Sequence, residues 1–409
     1  MENSFLISVA VFAVPTGSLS GKFGFKKSFI IGNIIFLIGS IISPFAFSPF
    51  SLVIFRAFQG IGAAIIYNTV MNLVAVGVSP DERGKAIGIL MSGVYIGIAL
   101  APVLGGILTY NFGWRAIFYF SIPFILLILY FACFKLEGEW KIDNGSFDTK
   151  GGFVWAIAIF LFVYGFSKIN MVEGAIMSIL GLILLGIFAY LEIKVTNPLY
   201  NVRVFKNKLF TSVTLVYLLC NIATYFVTFL LSYHLQYIRG WDVQTTGFLL
   251  IIGPLIQTLI SAPAGRLSDQ KNPLIIALFG ISIISISMFL LCFLSSTSPI
   301  YLIFTALIIQ GIGLGIFTSP NTNMMMSSLD SKDTSTASIS VTIIRVVGQT
   351  LSLAMLTIIF TMFMGNVEII PKYYGLLALS SRWICIIGTI LCVFCVLIFI
   401  IRYRDSKHV

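Results

Sequence analysis

The sequence predicts an all-α polytopic membrane protein with about thirteen transmembrane helices. Hydrophobic residues make up 58% of its 409 residues and charged residues only 10%, whereas a soluble chain is roughly 45–50% apolar and about 25% charged. Apolar runs of about 20 residues, long enough to cross about 30 Å of hydrocarbon, follow one another between short polar breaks. Helices are expected because a lipid-exposed backbone must satisfy its own hydrogen bonds. A water-soluble fold is therefore excluded.

The apolar runs place thirteen spans along the chain. We predict them at about 4–20, 28–46, 51–77, 86–108, 115–134, 152–168, 173–192, 210–235, 244–263, 273–294, 299–321, 336–363 and 378–401. A cleavable signal peptide is not expected, because no basic segment precedes the first run and a basic loop follows it.

The basic residues predict the orientation of the chain in a cell membrane. If the loop with Lys22, Lys26 and Lys27 is cytoplasmic, every second loop is too. That side then holds 18 Lys and Arg residues and the other side five. Because cytoplasmic loops carry the excess of basic residues, we expect a cytoplasmic C-terminus and, with an odd number of spans, Met1 outside. The net charge of +10 then sets topology and does not indicate a nucleic-acid partner.

Two pairs of similar segments indicate an internal repeat. Gly17-Ser-Leu-Ser-Gly-Lys returns as Gly265-Arg-Leu-Ser-Asp-Gln at an offset of 248 residues, and Gln59-Gly-Ile-Gly returns as Gln310-Gly-Ile-Gly at an offset of 251. Two similar offsets indicate a parallel repeat, as in transporter folds whose halves share topology. We therefore expect two pseudo-symmetric helical bundles.

The repeat divides the chain into four parts. They are an N-terminal bundle of five spans (1–134), a cytoplasmic loop (135–150), two extra spans (151–195) and a C-terminal bundle of six spans (196–409). In the second half a span at about 210–235 precedes the Gly265 segment, whereas nothing precedes the span that ends at Gly17. By symmetry we expect that the first span of the fold is missing, through truncation or a misplaced start codon.

The loop after the first span is the first candidate motif. It contains Gly17, Lys22, Gly24, Lys26 and Lys27. Small residues allow close helix approach, and a basic cluster anchors a cytoplasmic helix end. The plain alternative is that the lysines only set topology.

Two arginines lie within apolar runs. Arg56 begins the pattern that continues with Gln59 and Gly60, and Arg345 lies in the penultimate span. A guanidinium at membrane depth is costly and is a functional candidate by default. For both arginines the alternative is a structural bond to a neighbouring helix.

A third motif lies within the span at about 86–108. It consists of Gly93, Gly97, Pro102, Gly105 and Gly106. The four-residue spacing places small residues on one helix face, and Pro102 removes a backbone hydrogen bond and predicts a kink. Simple helix packing is the alternative to a functional role.

The order of these motifs resembles the major facilitator superfamily, and within it the fourteen-span drug:proton antiporter branch. The resemblance covers essentially the whole chain and includes residues 197–210, which are similar to the linker after the two extra spans of that branch. In the family an Asp in the first loop motif takes part in a charge latch. Here Gly21 stands at that position, whereas the second copy keeps Asp269. The resemblance also implies that Arg56 assists proton transfer and that the Gly93 motif is the antiporter motif.

Polar and aromatic residues within the spans form the candidate cavity. They could line an amphipathic pocket for bulky solutes, or each could bridge two helices by a hydrogen bond. These residues are Tyr67, Asn68, Asn72, Tyr95, Asn221, Tyr225, Tyr233, Gln257 and Asn321. All fifteen Asp and Glu residues fall in loops or near predicted span ends, so no coupling carboxylate is identified. His234 is expected to be a plain interface histidine.

By resemblance, the chain is expected to be a secondary active transporter that exports drug-like or amphipathic small molecules in exchange for protons by alternating access. Its partners would be the substrate, protons and the lipid bilayer. We expect no cofactor, metal, nucleotide or nucleic acid, and no enzyme activity, because the sequence has no nucleotide-binding loop, metal cluster or nucleophile–base set. Two alternatives stay open: a truncated, non-transporting remnant and a membrane sensor or scaffold.

Overall fold

The computed structural model describes residues 2–141, 147–365 and 373–407. Every regular element in this part of the chain is helical. Among the described residues, thirteen helices are long and apolar enough to cross a membrane. The predicted all-α polytopic class and its thirteen spans are therefore confirmed.

Fifteen α-helices carry these spans. They are α1 (Glu2–Phe23), α2 (Phe25–Ile42), α3 (Pro49–Gly77), α4 (Arg83–Phe112), α5 (Ala116–Phe134), α6 (Thr149–Ser167), α7 (Val172–Lys194), α8 (Lys208–Thr224), α9 (Phe226–Tyr233), α10 (Val243–Leu250), α11 (Ile252–Gln270), α12 (Pro273–Leu291), α13 (Ile300–Ser327), α14 (Thr334–Met364) and α15 (Tyr374–Lys407). Helices α8 and α9 and the π-helical turn His234–Ile238 together form one span, and α10 and α11 together form another.

The chain forms two compact units. Unit 1 contains Met1–Val78, Ile107–Asn207 and Leu329–Val347, and unit 2 contains Ser79–Gly106, Lys208–Ser328 and Gly348–Val409. Helices α4 and α14 each contribute to both units. The division into the bundles 1–134 and 196–409 with an inserted pair stays a prediction, as does the position of Met1, which lies outside the described residues.

Unit 1 is built on the contacts of α1 and α2 with α3, and α6 packs on both α1 and α7. Its core contains Val9, Ala10 and Ala63 together with aromatic residues of α6 and α7, including Trp155. The Trp155 indole nitrogen donates to the Ala10 carbonyl oxygen at 3.2 Å. This hydrogen bond ties α6 to α1.

Unit 2 is built on the contacts of α13 with α11 and α12, and α15 packs on α12 and α8. A glycine contact recurs in each unit at the offsets of the sequence repeat. A Cβ on Gly62 would lie 2.7 Å from the Gly32 carbonyl oxygen, and one on Gly313 would lie 3.0 Å from that of Gly280. Gly280 follows Gly32 by 248 positions, and Gly313 follows Gly62 by 251. The two halves therefore repeat a backbone contact as well as a sequence motif.

The structure corrects the expectation for His234. The sequence predicts an interface histidine at a span end, but His234 is fully buried. It begins the π-helical turn that follows α9. Helices α10 and α15 contact this turn, so packing within the protein accounts for the burial of the ring.

Two glycine substitutions test the importance of these backbone contacts. Gly62→Ala is expected to destabilise the protein by about 1–3 kcal/mol, because the new Cβ would lie 2.6 Å from the Phe36 backbone nitrogen. Gly186→Ala on α7 is the matched control, since no described atom lies within 4 Å of its Cβ; it should be neutral or stabilise by about 0.4–1 kcal/mol. Thermal unfolding of the purified protein in detergent compares them. Equal midpoints for the two variants would contradict the packing described here.

Candidate functional site

Asp269 of the second loop motif lies against the first turn of α4 in unit 2. Its Oδ1 accepts the Gly84 N–H at 2.7 Å, and its Oδ2 accepts the Lys85 N–H at 2.8 Å. The first N–H groups of a helix have no partner within the helix and form the positive end of its dipole. The carboxylate therefore caps α4. Gly265 permits this approach, because a Cβ there would lie only 2.2 Å from the Gly84 carbonyl oxygen.

In the first loop motif, a carboxylate from another part of unit 1 caps α2. Glu139 accepts the Lys26 N–H at 3.0 Å and the Lys27 N–H at 3.2 Å. The Lys26 ammonium group donates to the Leu136 carbonyl oxygen. Gly24 precedes α2 at φ +106°, a conformation that glycine adopts without steric cost. The Lys26 side chain thus makes a structural contact, whereas the described bond of Lys27 involves only its backbone N–H. The sequence pattern did not identify Glu139, whose only signal is an acidic residue in a basic loop.

Gly17 and Lys22 occupy different surroundings. A Cβ on Gly17 would lie 2.2 Å from Cγ1 of Ile339 on α14, so this glycine allows α1 and α14 to touch. Lys22 is exposed. Gly21, which stands where the family has an Asp, is buried.

Arg56, Gln59 and Gly60 lie together on α3. Arg56 Nη1 donates to Gln59 Oε1 at 2.6 Å, and Gln59 Nε2 donates to Ser40 Oγ on α2 at 2.8 Å. The Arg56 guanidinium also lies 4.7 Å from the centre of the Phe5 ring. A Cβ on Gly60 would meet the Phe5 carbonyl oxygen at 2.7 Å. The motif therefore connects α3 to both α1 and α2.

Asn68 joins three helices in the buried part of unit 1. Its Nδ2 donates to the Ala13 carbonyl oxygen at 2.7 Å, and its Oδ1 accepts from Thr342 Oγ1 at 3.1 Å. Its backbone carbonyl oxygen accepts from Ser338 Oγ at 2.6 Å. Asn68 is fully buried. These contacts are those of a residue that bridges α1, α3 and α14.

Arg345 lies one turn beyond Thr342 on α14. Its guanidinium stands 4.6 Å from the centre of the Tyr67 ring, and both residues are half-buried. In the part of the chain that the structure describes, no carboxylate pairs with Arg345. A cation over an aromatic face is stabilised by the ring quadrupole, so Tyr67 partly offsets the cost of placing Arg345 within a span.

The other predicted cavity residues differ in exposure. Asn72 and Asn321 are fully buried and Gln257 nearly so, whereas Tyr95, Asn221 and Tyr225 are half-buried and Tyr233 is exposed. Asn321 Nδ2 donates to the Val213 carbonyl oxygen at 3.3 Å, so it also connects two helices. Neither side-chain polar atom of Asn72 has a described partner.

The glycine motif of α4 faces open space. A Cβ on Gly93, Gly97, Gly105 or Gly106 would meet no described atom within 4 Å; the side chain of Pro102 is outside the described part of the chain. At an offset of 251 from Gly97, Gly348 of α14 is tightly packed. A Cβ there would lie 2.6 Å from the Asn221 Cβ. The close helix approach that the spacing predicts is therefore found at Gly348 and not at the α4 glycines.

A cavity of about 570 Å³ opens between α1, α3 and α6 in unit 1. Its lining is mainly apolar, with Ser8, Tyr164 and Lys168 among the polar residues. None of the nine predicted cavity residues lines it. Their role as a substrate-lining set stays a prediction.

Comparisons with known proteins agree with this architecture. The family model of the Major Facilitator Superfamily matches residues 3–353 and, a second time, residues 213–409. The riboflavin transporter RibZ of Clostridioides difficile (strain 630) is 30% identical over 404 residues, which cover 96% of this chain and 87% of RibZ. The multidrug resistance protein Stp of Mycobacterium tuberculosis (strain CDC 1551 / Oshkosh) is 26% identical over 362 residues, which cover 86% of this chain and 67% of Stp.

One solved structure shows the same fold. The crystal structure of the human organic anion transporter MFSD10 (TETRAN) superposes with a TM-score of 0.67 at 12% identity, covering 95% of this chain and 82% of that chain. The matching proteins are transporters, not enzymes. This multi-pass membrane protein belongs to the Major Facilitator Superfamily.

Proposed function

We propose that the protein exports drug-like or amphipathic small molecules in exchange for protons by alternating access. Multidrug resistance proteins among its relatives support export. The observation that carries the substrate class is Arg345 on the face of Tyr67. The substrates would be planar organic molecules that are neutral or anionic.

The physical reason is that a cation within the membrane that has no anionic partner is energetically unfavourable. An arginine at membrane depth is expensive and is kept where it faces a cavity or pairs with an opposite charge. Arg345 has an aromatic neighbour in Tyr67 but no described carboxylate partner. An anionic or carbonyl group of a ligand would supply the missing hydrogen-bond acceptor, while the ring of the ligand would stack beside Tyr67.

A reversible contact that could support alternating access is the Asp269 cap of α4. Alternating access needs contacts that form in one state and break in the other. Helix caps contribute about 0.5–2 kcal/mol, so this contact can open without large cost. The proposal of proton coupling does not name a particular carboxylate as the group that carries the proton.

Riboflavin transport is the second candidate function. It is favoured by RibZ, whose match covers 96% of this chain and 87% of RibZ itself, more of the relative than the multidrug resistance proteins match. A flavin has a planar ring with several carbonyl groups, which is the chemistry that the Arg345–Tyr67 pair would accept.

Transport by purified protein in liposomes tests both candidates. The probes are the anion fluorescein, the cation rhodamine 6G and riboflavin, each with and without an imposed pH gradient. Export by proton antiport predicts gradient-driven movement of fluorescein ahead of rhodamine 6G. Movement of riboflavin alone would favour the second candidate, and movement of none of the probes would contradict both.

Substitutions at the cation–π pair give a sharper prediction. Tyr67→Leu is expected to raise the KM for the preferred probe about 2- to 30-fold, because the cation–π contact that holds Arg345 in place contributes about 0.5–2 kcal/mol. Arg345→Gln should have a larger effect, and Tyr67→Phe a smaller one. Arg382→Gln is the control, since Arg382 is exposed on α15. Initial transport rates measure these changes; an unaltered KM in Arg345→Gln would remove Arg345 from the substrate site.

The helix cap yields a second prediction. Asp269→Ala is expected to lower stability by about 0.5–2 kcal/mol, because two N–H groups of the first turn of α4 lose their acceptor. Asp330→Ala is the control, because Asp330 is exposed and does not cap a helix with its side chain. Thermal unfolding in detergent compares the two variants. The cap would be energetically irrelevant if both had the wild-type midpoint.

A further inference from the structure

Glu192, in the last turn of α7, is an almost completely buried carboxyl group. It is 1% exposed. Its Oε2 accepts the backbone N–H of Tyr200 at 3.0 Å, whereas its Oε1 has no described partner. A buried polar atom without a partner is costly, so the surroundings of Oε1 indicate what it binds.

Oε1 of Glu192 is directed toward a second carboxyl group. Asp148 caps α6, because its Oδ1 accepts the N–H groups of Lys150 and Gly151, both at 3.0 Å. A Cβ on Gly151 would lie 2.5 Å from Glu192 Oε1 and 2.8 Å from Asp148 Oδ2. These two oxygens are therefore no farther than about 5.3 Å apart. The lack of a side chain at Gly151 leaves the space between them open.

The basic residues near this pair contact other groups or are exposed. The ammonium group of Lys194 lies 4.2 Å from the centre of the Tyr190 ring, and the Arg203 guanidinium donates to the Ile193 carbonyl oxygen. Lys150 is exposed. Asp333, the acidic residue at the start of α14, already accepts from Asn201. The buried Glu192 and the half-buried Asp148 thus lie close together without a described neutralising cation, and a buried carboxylate beside a second carboxylate is unfavourable.

The same carboxyl group holds the segment between α7 and α8, which makes hydrogen bonds to α14 and to the residue before it. Tyr200, whose N–H binds Glu192, also forms a hydrogen bond between its hydroxyl and Ser340 Oγ at 2.7 Å. The next residue, Asn201, donates from Nδ2 to Asp333 Oδ1 at 2.9 Å. Burial raises the pKa of Tyr200 to about 12, with the Ser340 hydrogen bond acting against it. The phenol therefore stays neutral at physiological pH and does not itself titrate.

We propose that Glu192 and Asp148 form a proton-binding site that controls how the linker 195–207 is held on α14. With a proton on Glu192, its carboxyl group is neutral and can donate to Asp148, so the repulsion disappears and Glu192 stays buried against Tyr200. When the proton leaves to water, two carboxylates face each other, Glu192 moves out, and the N–H of Tyr200 is released. The Tyr200–Ser340 contact on α14 and the Asn201–Asp333 contact just before α14 are weakened as a result.

The sign of the pH dependence follows from proton linkage. The closed linker binds one proton more than the open linker, so it is favoured at low pH and lost as pH rises. This inference needs no transport reaction. Only its extension to coupling, in which the proton on this site is the exchanged proton, depends on the proposed function.

Hydrogen–deuterium exchange of the full chain in lipid nanodiscs tests the proposal. Protection of the linker peptides, corrected for the intrinsic pH dependence of exchange, is expected to fall at least tenfold between pH 5 and pH 9. Glu192→Gln should abolish this dependence, because a Gln amide donates to Asp148 without a proton. Asp148→Asn should do the same, because Asn still caps α6 and its amide donates to Glu192. Glu173→Gln, at the exposed start of α7, should behave like the wild type.

The proposal is overturned if the wild-type linker shows pH-independent protection, or if both Glu192→Gln and Asp148→Asn keep the wild-type dependence. Should Glu192→Gln fail to fold, Asp148→Asn still decides the question. A protein that moves none of the transport probes yet shows the pH-dependent protection would contradict the proposed function and leave this site in place.

Discussion

Hydrocarbon offers no hydrogen-bond partners, and this constraint determines most of the structure. The chain therefore crosses the membrane as helices, and the groups that a helix cannot satisfy lie at its ends. Three carboxylates serve three of those ends. Asp269 caps α4, Glu139 caps α2 and Asp148 caps α6. Each of these carboxylates lies near a helix end, so it can reach water when the contact opens.

The same constraint governs packing between the helices. Because lipid is as apolar as the side chains, helices associate through close backbone contact. The Gly32–Gly62 and Gly280–Gly313 contacts provide this in the two units. Polar bridges such as Asn68 add directional bonds between α1, α3 and α14. The glycine contacts thus bring the helices of a pair close together, and hydrogen bonds such as those of Asn68 connect them at particular residues.

Hydropathy and the repeat offsets predict the spans and the symmetry well, because both depend on local composition. They also identify Asp269, whose neighbours recur in the two halves. They miss Glu139, since its bond to Lys26 joins residues 113 positions apart and no local pattern marks it. Glu192 lies near a span end as predicted, but its burial depends on α6 and the linker. The open face of α4 at Gly97 and the buried ring of His234 likewise depend on tertiary packing.

The proposed reversible capping of α4 would link a well-defined contact to transport. Hydrogen–deuterium exchange at the first turn of α4 in reconstituted protein tests this proposal, with and without a transported probe and a pH gradient. If the Asp269 contact opens in each cycle, Gly84 and Lys85 are expected to be protected at rest and to exchange faster during turnover. Unchanged protection under conditions of measured transport would contradict it.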